Sequence, residues 1–170
     1  LTNVNVWSPD SRWIVFDVRT VDSVFDGTRI EQVEVATGKV QTLYETKNGA
    51  ACGVVTYHPR EPKIVFIHGP EHPTPEWSYG MTRRRGAIVD VRRPGEARSL
   101  DAMNYAPPFT PGALRGGSHV HVFSPDGAEV KMTATVNPVA ARKVQEQALK
   151  QNITTLHNRI NELGVAEPVI

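Results

Sequence analysis

The 170 residues include a single cysteine, Cys52, which excludes an internal disulfide. Flanked by Ala51 and Gly53 ahead of an apolar run, Cys52 reads as a small buried thiol and fixes no compartment. No window approaches the roughly 18 consecutive apolar residues of a membrane span. No basic-then-apolar leader opens the chain. An excess of one charge is also missing. Nineteen Lys and Arg stand against 18 Asp and Glu, for a net charge of +1. That balance gives no reason to expect nucleic acid or an acidic membrane as partner. The one basic cluster, Arg83-Arg84-Arg85, reads as a solvated loop, with an anion contact as the alternative. The length suits one ordinary domain. The chain opens on Leu1 and stops within the apolar phrase "AEPVI", as a piece of something longer would.

What is present is a repeat. "VNVWSPDSRWIVF" (4–16), "VVTYHPREPKIVF" (54–66) and "VHVFSPDGAEVKM" (120–132) share one plan. Each has alternating residues, an aromatic, a Ser-Pro-Asp-like turn and a second alternating or apolar run. Pro9, Pro59 and Pro125 stand 50 and 66 residues apart. Self-similarity at roughly 40 to 50 residues marks propeller blades or arrays. Proline pre-sets the turn, and Asp with Gly or Ser completes it, so Asp10 and Asp126 read as turn caps. "RWIVFDV" and "KIVFIHG" carry the β-branched and aromatic residues of the next strand. Two further alternating pairs run around Thr37-Gly38 (30–45) and Pro94-Gly95 (86–101). Four strands per unit, closed by tight turns, describe a blade, with an unrelated antiparallel sandwich as the alternative. The expectation is a mainly β chain: an incomplete β-propeller of about two and a half antiparallel blades, then one long C-terminal α-helix. Two four-stranded meanders (3–48 and 50–101) should precede a hairpin at 119–132.

After about Thr135 the grammar changes. From Val139 to Leu163 there is neither glycine nor proline. Asn137 suits the N-cap, Pro138 the first helical position and Gly164 the terminator of a helix over 138–163. Leu149, Ile153, Leu156, Ile160 and Leu163 recur at steps of four and three, one apolar stripe. Such a stripe is either a docking face or a short coiled-coil seam. Asn152-Ile-Thr matches the glycosylation pattern, but a mid-helix position makes it a chance match.

Two resemblances divide the chain. "LTNVNVWSPDSRWIVFDVR", "GVVTYHPREPKIVFIHGPE" and "LDAMNYAPPFTPGALRGGSHVHVFSPDG" make residues 1–132 resemble the YidR-like bacterial family of unknown function, grouped with TolB-like propellers. That resemblance implies a propeller portion and no reaction. "NPVAARKVQEQALKQNITTLHNRINELGVAEPVI", in 133–170, is similar to the periplasmic segment of SecD, a subunit of the Sec translocase. The Sec translocon would be the partner and the inner membrane's periplasmic face the location if the tail decides; the cytoplasm follows from the YidR-like part. Two parents on separate stretches would fit a fragment or a join.

The strand before each turn is the candidate innermost strand of its blade. Aligning Trp7, Tyr57 and Phe123 sets His121 opposite Asn5 and Val55, and His119 opposite Asn3 and Gly53. With a period of two, His119 and His121 share one face, as do Asn3 and Asn5. These four are the candidate ligand-binding residues. With His68 and His72 of "HGPEHPTPEW", the histidines offer ligands for a borderline metal such as zinc or manganese. "HVHVFSPDG" also resembles oligogalacturonate lyases, propellers whose histidines hold a metal that aids β-elimination. Gly116 stands where that family places a glutamine. The readings left open are a metal site, a non-metal ligand or partner surface, and histidines bonded to backbone. Ser118 and Ser124 lack the strand-turn-helix elbow of a nucleophile. Asp17, Asp22 and Asp26 read as solvated surface. The function expected is a non-catalytic binding module. A metal-dependent lyase or hydrolase on His119 and His121, and an accessory role in export, are the alternatives.

Overall fold

The structure, a computed structural model, describes residues 4–100, 110–114, 116–135 and 137–162, with the backbone alone at 120 and 159–162. It divides into two compact units with the boundary after Thr135. The first unit is all β. Strands β1 (Trp13–Val18), β2 (Arg29–Glu34) and β3 (Val40–Glu45) form one antiparallel meander. Strands β4 (Cys52–Tyr57), β5 (Lys63–His68), β6 (Arg85–Asp90) and β7 (Ala97–Ser99) form the second. A hairpin of β8 (Gly117–Phe123) and β9 (Val130–Thr135) follows. β4 packs on β1 and β2, and β8 packs on β4, β5 and β6, so the second sheet lies between the other two.

That middle position is written in the strands. β5, "KIVFIH", is buried at every position after Lys63, and β4 at all but Val54. Only a strand covered on both faces can carry such a continuous apolar run. Val15, Ile30, Leu43, Cys52, Val55, Tyr57, Ile64, Phe66, Ala87 and Val89 form the core. β9, by contrast, is exposed over Lys131 to Ala134.

The expected meanders are therefore present with one correction. The first has three strands among the described residues, because the stretch before the first turn does not pair as a strand. Asn5 adopts φ +56°, and beyond it only Trp7 bridges to Ile14. The Asn5 carbonyl instead accepts the Tyr57 N–H at 2.7 Å, tying this stretch to the second sheet.

The three turns use one hydrogen-bond scheme with one substitution. Ser8 Oγ donates to Asp10 Oδ1 (2.6 Å) and accepts the Trp13 N–H (2.9 Å), while Asp10 also accepts the Arg12 N–H (3.1 Å). Ser124 repeats this with Asp126 Oδ1 (2.5 Å) and the Glu129 N–H (3.0 Å), and Asp126 accepts the Ala128 N–H (3.1 Å). These bonds, led by the serine hydroxyls, hold both carboxyls below their ordinary range. In the middle turn His58 replaces the serine. Its Nδ1 accepts the Arg60 and Glu61 N–H groups at 3.1 and 2.8 Å. The proton is thereby on Nε2, which donates to the Gly127 carbonyl of the third turn at 3.0 Å. The His58 ring also meets Phe123 edge-on, 4.6 Å between centroids.

The second unit contains helix α1 (Pro138–Glu162). Asn137 caps it, Oδ1 accepting the Val139 N–H at 2.9 Å, and Pro138 stands at the first helical position as expected. Leu149, Ile153 and Leu156 of the stripe are exposed. The side chain of Ile160, and Leu163 and Gly164 altogether, lie outside the described residues. No described helix is long and apolar enough to cross a membrane.

Candidate functional site

The histidine stretch forms β8, and a bulge interrupts it. Pairing with β9 shifts register between His119 and Val122, so one residue more stands on β8 than on its partner. β4 shifts at the equivalent place, between Gly53 and Thr56. An extra residue breaks simple alternation. The two histidines accordingly occupy different surroundings. His121 is buried, its Nε2 2.9 Å from Ser118 Oγ, and its ring lies where a Cβ on Gly86 would come within 2.7 Å of Cδ2. His119 is half-buried, and its Nδ1 is enclosed without a hydrogen-bond partner among the described residues. Burial first, then the nearby Arg84 guanidinium, push His119 below the ordinary imidazole value.

The other candidates do not join this pair. His68 is buried on β5, Nδ1 donating to the Gly69 carbonyl at 2.6 Å and Nε2 accepting from the Tyr44 hydroxyl at 3.0 Å. Both of its nitrogens are engaged. His72 is exposed in the loop after β5 at φ +50°. Asn5 is exposed, and Asn3 lies outside the described residues. Val122, expected in the layer between blades, is half-buried, and the Val120 side chain lies outside the described residues. Among the described residues no group of three His, Cys, Asp or Glu side chains is placed to hold a metal.

Sequence reading missed the groups that surround β8. Arg84, read within a solvated loop, is only 9% exposed. The Ser118 N–H donates to its carbonyl at 3.0 Å, and its Nη1 donates to the Tyr79 hydroxyl at 3.1 Å. Tyr79 in turn stacks on Phe25, 4.1 Å between centroids, and Arg19 covers the other ring at 4.9 Å. Asp17, read as solvated, is buried and ion-paired with Arg19. Its second oxygen accepts the N–H of Val54, the bulge residue held at φ +57°. Nothing in the order Asp17, Arg19, Phe25, Tyr79, Arg84 marks these side chains as neighbours, because the sheets bring them together over long loops. Cys52 is buried and free as expected, its thiol pushed up to about 12 by burial and then by the Asp17 charge.

A recess of about 280 Å³ lies where the first turn faces the second sheet, lined by Ser8, Trp13, Gln32, Tyr57, Arg60 and neighbours. Its floor is closed by Tyr57, whose hydroxyl donates to Gln32 Oε1 at 2.5 Å.

Comparison with known proteins sets this geometry in a family. The model of a family described as "Protein of unknown function (DUF3748)" matches residues 51–166. The uncharacterized protein YidR of Escherichia coli (strain K12) is 53% identical over 133 residues, which are 78% of this chain and 31% of that protein. The protein translocase subunit SecD of Pseudomonas aeruginosa (strain PAO1) is 54% identical over 28 residues, 16% of this chain and 4% of that protein. The chain thus spans about a third of the length of YidR. It belongs to the DUF3748 family.

Proposed function

We propose that this member of the DUF3748 family is part of a β-propeller that serves as a non-catalytic binding module, with its ligand taken where β6 meets β8. Three features support the propeller: face-to-face sheets, a repeated hairpin turn, and matching bulges on β4 and β8. In that arrangement β4 and β8 occupy the innermost position of their blades, where equivalent side chains from several blades act on one ligand. The observation that carries the binding reading is the polar junction itself. His119 and Arg84 present buried nitrogens beside one another at an inner strand, next to the buried Ser118 and His121. The metal-assisted alternative needs a third protein ligand beside His119 and His121.

A thermal-shift survey tests the binding reading, using small anions, divalent cations, sugars and nucleotides on the 170-residue chain. At least one compound should raise the unfolding temperature of the parent chain and not of the His119→Ala/His121→Ala double variant. The compound should be recovered unchanged by NMR. No histidine-dependent shift from any class, or turnover of the compound, would contradict the reading. A shift confined to zinc or manganese would move the case to the metal alternative.

A further inference from the structure

We infer that the β6–β8 junction is an oxyanion site, in which a carboxylate or phosphate group lies against the guanidinium of Arg84 and the imidazole of His119. The inference rests on the binding reading above and names the ligand's chemistry.

Arg84 is the reason. A guanidinium keeps its charge at any ordinary pH, and a buried charge without a counter-charge is costly. Its two neighbours in sequence have a charged or aromatic partner, although Arg85 Nε is also enclosed without a hydrogen-bond partner among the described residues. Arg85 has a more exposed side chain and reaches Glu71 at 3.7 Å, and Arg83 stacks on Trp77 at 5.1 Å. Arg84 is the buried one, and no Asp or Glu among the described residues pairs with it. Its Nη1 meets only a neutral phenol, Tyr79, and its Nε is enclosed without a partner among the described residues.

His119 supplies the second group. The Ser118 N–H bonded to the Arg84 carbonyl sets the two backbones side by side, so the side chains leave adjacent points. His119 Nδ1 is likewise enclosed and unpartnered among the described residues. Two nitrogens, Arg84 Nε and His119 Nδ1, without acceptors among the described residues at one junction fit a small oxyanion. Such a group can take a charged hydrogen bond from Arg84 and a second from Nδ1–H of His119. Burial and then the Arg84 charge push the imidazole toward its neutral form. A bound anion offsets that charge and draws the proton onto the ring.

Isothermal titration calorimetry of the 170-residue chain, in a zwitterionic buffer with chloride as the only other anion, decides this. The probes are inorganic phosphate and acetate, titrated separately. Saturable one-to-one binding of at least one is expected, and the stronger of the two identifies the group. Arg84→Gln should weaken it at least tenfold and His119→Gln severalfold. Arg93→Gln, at an exposed position, should leave it unchanged. Should Arg84→Gln fail to fold, NMR of the parent chain replaces it, where the His119 ring resonances should move on titration. No saturable binding of either probe would overturn the inference, as would binding indifferent to His119→Gln with the His119 resonances unmoved. If both probes fail while another class gives a histidine-dependent thermal shift, the oxyanion site falls and the binding module stands.

Discussion

His58 and Gly127 act as one fitted pair. The imidazole closes its own turn through Nδ1 and holds the next hairpin through Nε2, and Gly127 leaves room for the ring. Gly127 sits at φ +75°, and a Cβ there would run into His58. Gly95 has a similar φ of +84° with nothing near its Cβ position. Gly95→Ala therefore carries the backbone cost alone, about 1 kcal/mol. Gly127→Ala should cost about 2–4 kcal/mol, the backbone cost plus the displaced ring. Urea midpoints of the two variants separate these terms, and equal losses would mean that the His58 contact is slack. The histidines also set a pH dependence. Burial leads in depressing both His68 and His119 from 6.5. The unfolded chain then binds protons that the folded chain refuses. Stability is complete above 6.5 and falls as pH drops below it. Thermal unfolding between pH 7.5 and 5.5 should show this fall, and His68→Gln should make it shallower.

At the scale of elements, the bulges on β4 and β8 decide where side chains point. The β4 bulge is secured from the neighbouring sheet. Asp17 accepts the Val54 N–H, and Arg19 neutralises Asp17. Asp17→Ala leaves a buried guanidinium and an unsatisfied N–H, and should cost about 3–5 kcal/mol by chemical denaturation. A loss below 1 kcal/mol would show that the bulge stands without it. The same bulges explain what could be read from sequence. The turns, their serine–aspartate caps, the hairpins at Thr37-Gly38 and Pro94-Gly95, and the Asn137 cap were legible because local chemistry fixes them. Asn137→Ala should remove about 1 kcal/mol of helix stability, visible as lost ellipticity at 222 nm. The different burial of His119 and His121 was not legible, since a bulge has no marker in "GSHVHVF". Arg84 and Asp17 were misread for another reason. Charged residues are solvated by default, and their burial depends on loops of long sequence separation.

At the largest scale, the middle sheet is the organising layer of the β unit, covered on one face by the first meander and on the other by the β8–β9 hairpin. Phe66 lies fully buried within it. Phe66→Ala should cost about 3–5 kcal/mol, and tryptophan fluorescence and near-ultraviolet circular dichroism should report one coincident transition for the β unit. The propeller proposal makes these sheets successive blades whose inner strands, β4 and β8, carry the binding face. The measurement that bears on this is a crystal structure of the relative YidR, which is about three times as long as the matched region. A closed ring of four-stranded sheets is expected, with the residues equivalent to Arg84 and His119 reachable from the central channel. Two stacked sheets without a channel, or an Arg84–His119 junction sealed by the chain's own carboxylates, would contradict it.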